Sequence, residues 1–295
     1  MDAEHICPVG AELGEGPVWV ERDAALWFVD IKARRAHRWH PGSREHRFWP
    51  APEQPGFLAP LRGGGFVAGL KTGLYRFDPE AAEFALLTRV EPHLPDNRLN
   101  DGYVSPEGEL WFGSMNDSEA EPSGALYRLD ADGRAVCLDQ GYIITNGPAF
   151  SPDGRFFYHT DSADRTVYVF DRPDAHTLAR KRVFLRLEAS AGYPDGTTVD
   201  QEGCVWIALW GGWAVRRYSP EGKLLATVSL PCANVTKIAF GGSDLRTGYV
   251  TTAWKGMTPQ QRAAQPLAGD LFSFEAPAPG MRPAEVEIQH SDCGA

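Results

Sequence analysis

The chain has 295 residues, 43% of them hydrophobic, and its 29 basic against 39 acidic residues leave a formal net charge of −10. That balance, with no basic stripe, argues against a nucleic-acid partner, and no apolar run reaches the length of a bilayer span. The N-terminus, MDAEHICPVGAELGEGPVW, lacks the positive start and apolar stretch of a signal peptide, so a cytoplasmic location is expected.

Short alternating apolar runs recur along the chain, each bounded by a turn signal. In order they are ALWFVDI from Ala25, GFVAGLK from Gly65, ELWFGSM from Glu109, RFFYHTD from Arg155, CVWIALW from Cys204 and GYVTTAW from Gly248. Their starts lie about 40 to 50 residues apart, the period of propeller blades. Most are followed by a second strand that ends in a polar turn, such as GLYRFDPE, ALYRLDADG and AVRRYSPEG. Each is preceded by a lead-in: GEGPVWV, FLAPL, NDGYVSPEG, NGPAFSPDG, DGTTVDQEG and TKIAFGG. The pattern predicts an all-β fold, a six-bladed β-propeller occupying residues 1–295 as a single domain with a metal site in its central channel. An open sandwich leaves the period unexplained. Thr258 to Ala264 has room for one or two helical turns. The ring is expected to close by a first strand near His5 to Val9, paired into the last blade beside residues around Glu285 to Ile288. The five cysteines Cys7, Cys137, Cys204, Cys232 and Cys293 are odd in number and form no C-x-x-C pair, which predicts reduced, mostly buried thiols.

The lead-ins carry the chemistry. From Asn100 to Trp111, from Asn146 to Phe157 and from Asp195 to Trp206 the step is eleven residues; Glu15 to Trp27 is one longer, with an extra residue in the hairpin ERDAA. The second unit has Phe57 at this place and the sixth has Thr236 and Lys237. A polar residue before glycine is an ordinary turn former, but a turn former need not keep register with the next strand. First strands of propeller blades line the channel, so Glu15, Asn100, Asn146 and Asp195 are expected to converge at one mouth. Two carboxylates and two carboxamides are hard oxygen donors that suit calcium, magnesium, manganese or ferrous iron, and suit a structural zinc site poorly. Without a cation the two acids would raise one another's pKa.

The motifs LGEGPVW near Leu13, NRLNDG near Asn97, ITNGPAFSPDG near Ile144 and YPDG near Tyr193 resemble, in order, those of the senescence marker protein (regucalcin)/gluconolactonase family. The resemblance runs from Glu12 to about Phe274. It implies a six-bladed propeller with a divalent metal held by Glu15, Asn146 and Asp195, the ion being calcium, manganese, magnesium, zinc or ferrous iron. It also implies substrate binding by Arg98 and Asn100. Within the family the wording FVDIKARRAHRWHP, GLKTGLYRF, YHTDS and ALWGGWAVRRYSP is most like bacterial sugar lactonases of the D-xylonolactonase/L-arabinolactonase branch. The expected reaction is therefore metal-dependent hydrolysis of a sugar lactone, with Asp195 as general base. The loop GSMNDSEAEPSG aligns none of Asp117, Glu119 or Glu121 uniquely with a substrate-contacting acid that some relatives place there.

Other residues have weaker claims. His159 is a candidate proton shuttle against a satisfied strand-end histidine. Asp161 and Ser162 read as a turn, and Asp101 as an acceptor that orients its neighbours. Lys71 and Lys237 read as solvated charges or partners of a carboxylate near the channel. Trp210, Trp213 and Trp254 are pocket walls or packing between blades. No G-x-S-x-G elbow, P-loop or dinucleotide fingerprint is present. The expected partner is a small sugar lactone, with no nucleic acid and no membrane, and the expected state is a monomer. The rival functions are a propeller esterase or phosphotriesterase on a non-sugar substrate, and a non-catalytic metal-binding propeller.

Overall fold

The turn residues cut the chain where the sequence says they should. Ser105, Ser151 and Asp200 each open a hairpin whose side-chain oxygen accepts a backbone N–H across the turn, from Glu109 at 3.3 Å, Phe156 at 2.9 Å and Cys204 at 3.0 Å. In the computed structural model, which describes residues 1–287, the chain begins with β1 (Glu4–Cys7). Four antiparallel four-stranded sheets follow. The first holds β2 (Gly14–Val20), β3 (Ala25–Asp30), β4 (Arg35–His40) and β5 (Glu45–Pro50). The second holds β6 (Pro55–Pro60), β7 (Phe66–Leu70), β8 (Gly73–Asp78) and β9 (Glu83–Arg89). The third holds β10 (Asn97–Val104), β11 (Leu110–Asn116), β12 (Gly124–Leu129) and β13 (Ala135–Tyr142). The fourth holds β14 (Thr145–Phe150), β15 (Phe156–Asp161), β16 (Thr166–Asp171) and β17 (Ala179–Arg186).

The rest of the chain departs from the expected count of six separate blades. Four blades are separate; β18 (Tyr193–Val199), β19 (Val205–Trp210), β20 (Ala214–Tyr218), β21 (Leu224–Ser229), β22 (Asn234–Gly241), β23 (Thr247–Ala253) and β24 (Leu271–Glu275) join β1 in one eight-stranded sheet. The physical reason is a single residue pair, Trp210 with Asn234, which carries the hydrogen-bonded ladder from β19 to β22. The architecture is all-β and propeller-like. Its innermost strands pack side by side in the order β2, β6, β10, β14, β18, β22 and back to β2.

Closure is by the first strand, as expected, but against a different partner. β1 pairs with β24 through Glu4 with Ser273, His5 with Phe272 and Cys7 with Leu271. The segment near Glu285 instead runs along another hairpin, where Val286 bridges Leu61 in parallel; Ile288 lies outside the described residues. The short helix is present as α1 (Pro259–Ala264), capped by Thr258 and Gln261 in a reciprocal box. Cys7, Cys204 and Cys232 are buried free thiols and Cys137 is an exposed one; Cys293 lies outside the described residues. No helix among the described residues is long and apolar enough to cross a membrane.

The constant step has a packing cause. Trp27, Trp111 and Trp206, each at most 1% exposed, stand on the second strand of their units and fill the gap to the next unit. Trp27 meets Phe66 at 4.6 Å between ring centroids, Trp111 meets Phe150 at 5.4 Å and Trp206 meets Phe240 at 5.6 Å. Removing such a ring costs about 3–5 kcal/mol, so its register against the inner strand is strongly specified. Each inner strand also has a shift in pairing register, between Glu15 and Val18, Leu99 and Gly102, Asn146 and Ala149, and Pro194 and Thr197 in the four units of interest. A bulge re-aims the side chain beside it. At Gly147 the backbone reaches φ +73°, open to glycine at no steric cost.

One buried network anchors the fifth unit. Asp200, fully buried, accepts from Trp206 Nε1 and Arg217 Nε, both at 2.8 Å, and from the backbone N–H groups of Glu202 and Cys204, both at 3.0 Å. Asp200→Ala leaves the Arg217 charge and the indole N–H without their acceptor. The variant is expected to lose about 3–5 kcal/mol, read as a lower urea midpoint at unchanged slope. Glu202→Ala, which removes only an exposed partner of Arg217, should cost under about 1 kcal/mol.

Candidate active site at one mouth of the channel

The bulged inner strands bring together the four residues expected to converge. Glu15 on β2, Asn100 on β10, Asn146 on β14 and Asp195 on β18 line one cavity of about 420 Å³, with Arg98 beside them. All five are buried, at 2–7% exposure, although each carries a polar head. A Cβ built on Gly196 would stand 2.4 Å from Lys237 Cγ, so the strand bearing Asp195 passes its neighbour at a distance only glycine allows.

The amides form a directed chain. Arg98 Nη1 donates to Asn100 Oδ1 at 2.5 Å; Asn100 Nδ2 donates to Thr145 O at 2.5 Å and Asn146 Oδ1 at 3.2 Å. Asn146 Nδ2 donates to Ser162 Oγ at 2.9 Å. Both amide hydrogens of Asn100 are thus engaged, and its Oδ1 keeps one lone pair for a ligand. Arg98 is held by Asp117, whose Oδ1 accepts from Arg98 Nε at 2.9 Å and Lys32 Nζ at 2.7 Å. Burial opposes the Asp117 charge, but Lys32 and Arg98 hold its carboxyl below the usual range.

The carboxylates are not so compensated. Burial, then the charge of Asp101, pushes Glu15 up to about 7, despite the N–H of Gly16 at 3.0 Å on its Oε2 and the cations of Lys237 and Arg98. Asp195 is raised well above the carboxylate range, first by burial, then by Glu15, Asp101 and Glu119. The two buried cations nearby are committed elsewhere, Arg98 to Asp117 and Lys237 to Asp101. Among the described residues no group of three or more His, Cys, Asp or Glu is placed to hold a metal. The set that converges has only two such residues, Glu15 and Asp195, and the Asn146 carboxamide completes it. It is an all-oxygen set whose acids repel one another, and a divalent cation fits it.

The remaining candidates sort cleanly. His159 is fully buried, edge-on to Tyr142 at 4.8 Å, and burial lowers it to about 3; neither ring nitrogen has a partner among the described residues. It is a core ring and not a proton shuttle. Asp161 accepts backbone N–H groups of Ile143 at 3.1 Å and Ile144 at 3.3 Å, a turn role, while Ser162 joins the cavity wall. Lys237 does meet a carboxylate in the channel, that of Asp101. Lys71 is only partly buried and outside the cavity lining. Trp210 lines the cavity; Trp213 is 45% exposed, and Trp254 stacks under Arg262 at 3.9 Å.

Sequence reasoning missed the ion pair of Glu119 with Lys255, both on the cavity wall. It comes from two loops 136 residues apart, outside the repeat, so no register signal pointed to it. It resolves the acidic loop, in which Asp117 orients Arg98, Glu119 faces the cavity and Glu121 is exposed.

Residues 13–254 match the SMP-30/Gluconolactonase/LRE-like region family. The chain is 35% identical over 273 residues to 6-deoxy-6-sulfogluconolactonase of Pseudomonas putida, covering 91% of this chain and 92% of that one. It is 34% identical over 279 residues to regucalcin of Oryctolagus cuniculus, covering 92% and 93%. The solved structure of a calcium-binding regucalcin from Agrobacterium tumefaciens superposes with a TM-score of 0.93 at 28% identity, covering 97% of both chains. This chain belongs to the SMP-30/gluconolactonase/regucalcin family.

Proposed function

We propose that the protein is a divalent-metal-dependent hydrolase of sugar lactones, and that a pentonolactone is its preferred substrate. The observation that carries the reading is the convergence of Glu15, Asn146 and Asp195 on one cavity that also presents Arg98 and Asn100. Relatives named for a gluconolactone and for calcium binding support it. The pentonolactone preference rests on the wording of the strands and turns that resembles the D-xylonolactonase/L-arabinolactonase branch. We read residues 1–295 as one domain and a monomer, with the eight-stranded sheet as two blades sharing an edge, which makes six around the channel.

Glu15, Asn146 and Asp195 would hold the ion, which when bound supplies Lewis acidity toward the lactone carbonyl. The chain's own groups do the rest. Arg98, fixed at Nε by Asp117 and at Nη1 by Asn100 and Leu99, is left with its Nη2 to donate to the lactone oxygens. Asp195 would hold the ion through one carboxylate oxygen and accept a proton from the attacking water at the other. The water oxygen bonds to the lactone carbonyl carbon, the bond from that carbon to the ring oxygen breaks, and the ring oxygen takes up a proton as the open acid forms. Burial of these groups strengthens each polar contact to the substrate relative to water.

Proton release from D-xylonolactone, beside gluconolactones and simple esters, tests the assignment. Metal-stripped protein should show only spontaneous hydrolysis, and one restored divalent ion should bring turnover. Tight metal binding without turnover on any lactone would favour the non-catalytic propeller. Faster turnover of non-sugar esters or phosphotriesters would favour the rival hydrolase.

Two substitutions separate the roles. Asp195→Asn is expected to lower kcat by at least about 10³-fold, combining a lost base and a weakened ion site. Arg98→Lys keeps the charge but loses the fork, so KM should rise by roughly tenfold or more, with a smaller change in kcat. Equal losses in both parameters for Arg98→Lys would assign it to the chemical step instead.

A further inference from the structure

The channel holds a buried cation that the proposed reaction does not use. Lys237 on β22 is 3% exposed and its ammonium is paired with the carboxylate of Asp101 on β10, itself 2% exposed. The stem of Lys237 lies against the backbone of Gly196, next to Asp195. Asp101 directly follows Asn100, and its Oδ1 also accepts from Gly102 N at 2.8 Å. Its Oδ2 is buried without a hydrogen-bond partner among the described residues. Asp101 and Lys237 both act on the carboxylates at the mouth, and in opposite senses.

Glu15, Asp101 and Asp195 are three buried acids, and Lys237 is the buried base paired with one of them. Arg98, as buried as Lys237, shares Asp117 with Lys32, which leaves one positive charge over in that cluster, and Lys255 pairs with Glu119. We propose that Lys237 is a built-in counter-ion that biases this site against cations of higher charge. Without it an ion at the mouth faces one more unit of negative charge. The inference rests on the metal-binding reading above. It adds that ion selectivity is set by a residue that is not itself a ligand. Coulomb energy scales with the charge of the ion, so one added unit of negative charge favours a trivalent ion more than a divalent one.

The test titrates metal-stripped protein with calcium and with terbium, by calorimetry and by terbium luminescence sensitised through Trp210 on the cavity wall. Lys237→Met should raise terbium affinity at least about tenfold more than calcium affinity. The double variant Lys237→Met/Asp101→Asn returns the net charge to its wild-type value and should restore the wild-type ratio of affinities. Lys237→Arg, which keeps the charge, should leave that ratio unchanged. If Lys237→Met does not fold, because it leaves Asp101 unpaired, Asp101→Asn carries the test. It removes one negative charge and should shift the ratio toward calcium by a similar factor. A ratio within about twofold of wild type in the folded single variant overturns the inference while leaving the metal site standing. A wild-type protein that binds neither ion overturns both, so the two failures are told apart.

Discussion

Repulsion between buried carboxylates is the constraint around which this molecule is organised. Glu15 and Asp195 are each 6% exposed, come from strands far apart in sequence, and line one cavity with their charges uncompensated by a dedicated base. Leaving such groups ionised without a partner costs several kcal/mol apiece. The fold does not relieve this by burying more arginine at the mouth, since Arg98 is already committed to Asp117. It leaves the site short of positive charge, which is the feature that supports the proposed cation.

A ring of strands is what makes the incompleteness affordable. Each inner strand is braced by an aromatic residue on its partner, and this packing sets the register in which the bulge falls. The bulge then aims a polar side chain at the channel in four of the units, Glu15, Asn100, Asn146 and Asp195. Trp27, Trp111 and Trp206 therefore belong to the same argument as Glu15, Asn100 and Asp195, although none of the three indoles touches the site. Where the second unit carries Phe57 in place of a polar residue, the ring is filled instead; a Cβ on Gly69 would stand 2.1 Å from Phe57 Cε1. That unit donates packing to the channel and no ligand.

The sequence made the repeat legible because the same spacing must satisfy both packing and aim. A turn former has no reason to stand eleven residues from a buried indole, so Asn100 and Asp195 could be assigned to the channel without a structure. Lys237, in the lead-in TKIAFGG, reads from sequence as a solvated charge or the partner of a carboxylate near the channel, and which carboxylate it meets, Asp101, is not legible there. What was not legible depends on contacts outside the repeat. The pair of Trp210 with Asn234, which merges two units into one sheet, is a single rung with no pattern to announce it. The partner of β1 was misjudged because β24 and the segment near Glu285 both alternate apolar and polar residues and both lie near the end of the sequence. His159 has the chemistry of a shuttle, yet the aromatic neighbours that bury it come from Tyr142 and Phe157, one of them seventeen residues away.

The segment after β24 explains why the channel works from one end. Pro279 O accepts from Gln201 N at 2.9 Å, Gly280 N donates to Leu245 O at 2.8 Å, and Val286 N donates to Pro60 O at 2.7 Å. Glu287 N then reaches Gly108 O at 3.1 Å, so one extended stretch ties together hairpins from four different units. Met281, Pro283 and Ala284 line a small space of about 50 Å³ together with Tyr103 and Lys237. Lys237 thus stands between this apolar floor and the acids above it. An ammonium there cannot be replaced cheaply by water, which the floor keeps to a small volume, and it stays paired with Asp101. The outcome is a channel with a polar mouth, a fixed internal cation and an apolar base, in which a ligand entering from the mouth meets carboxylates whose charge has already been set from below.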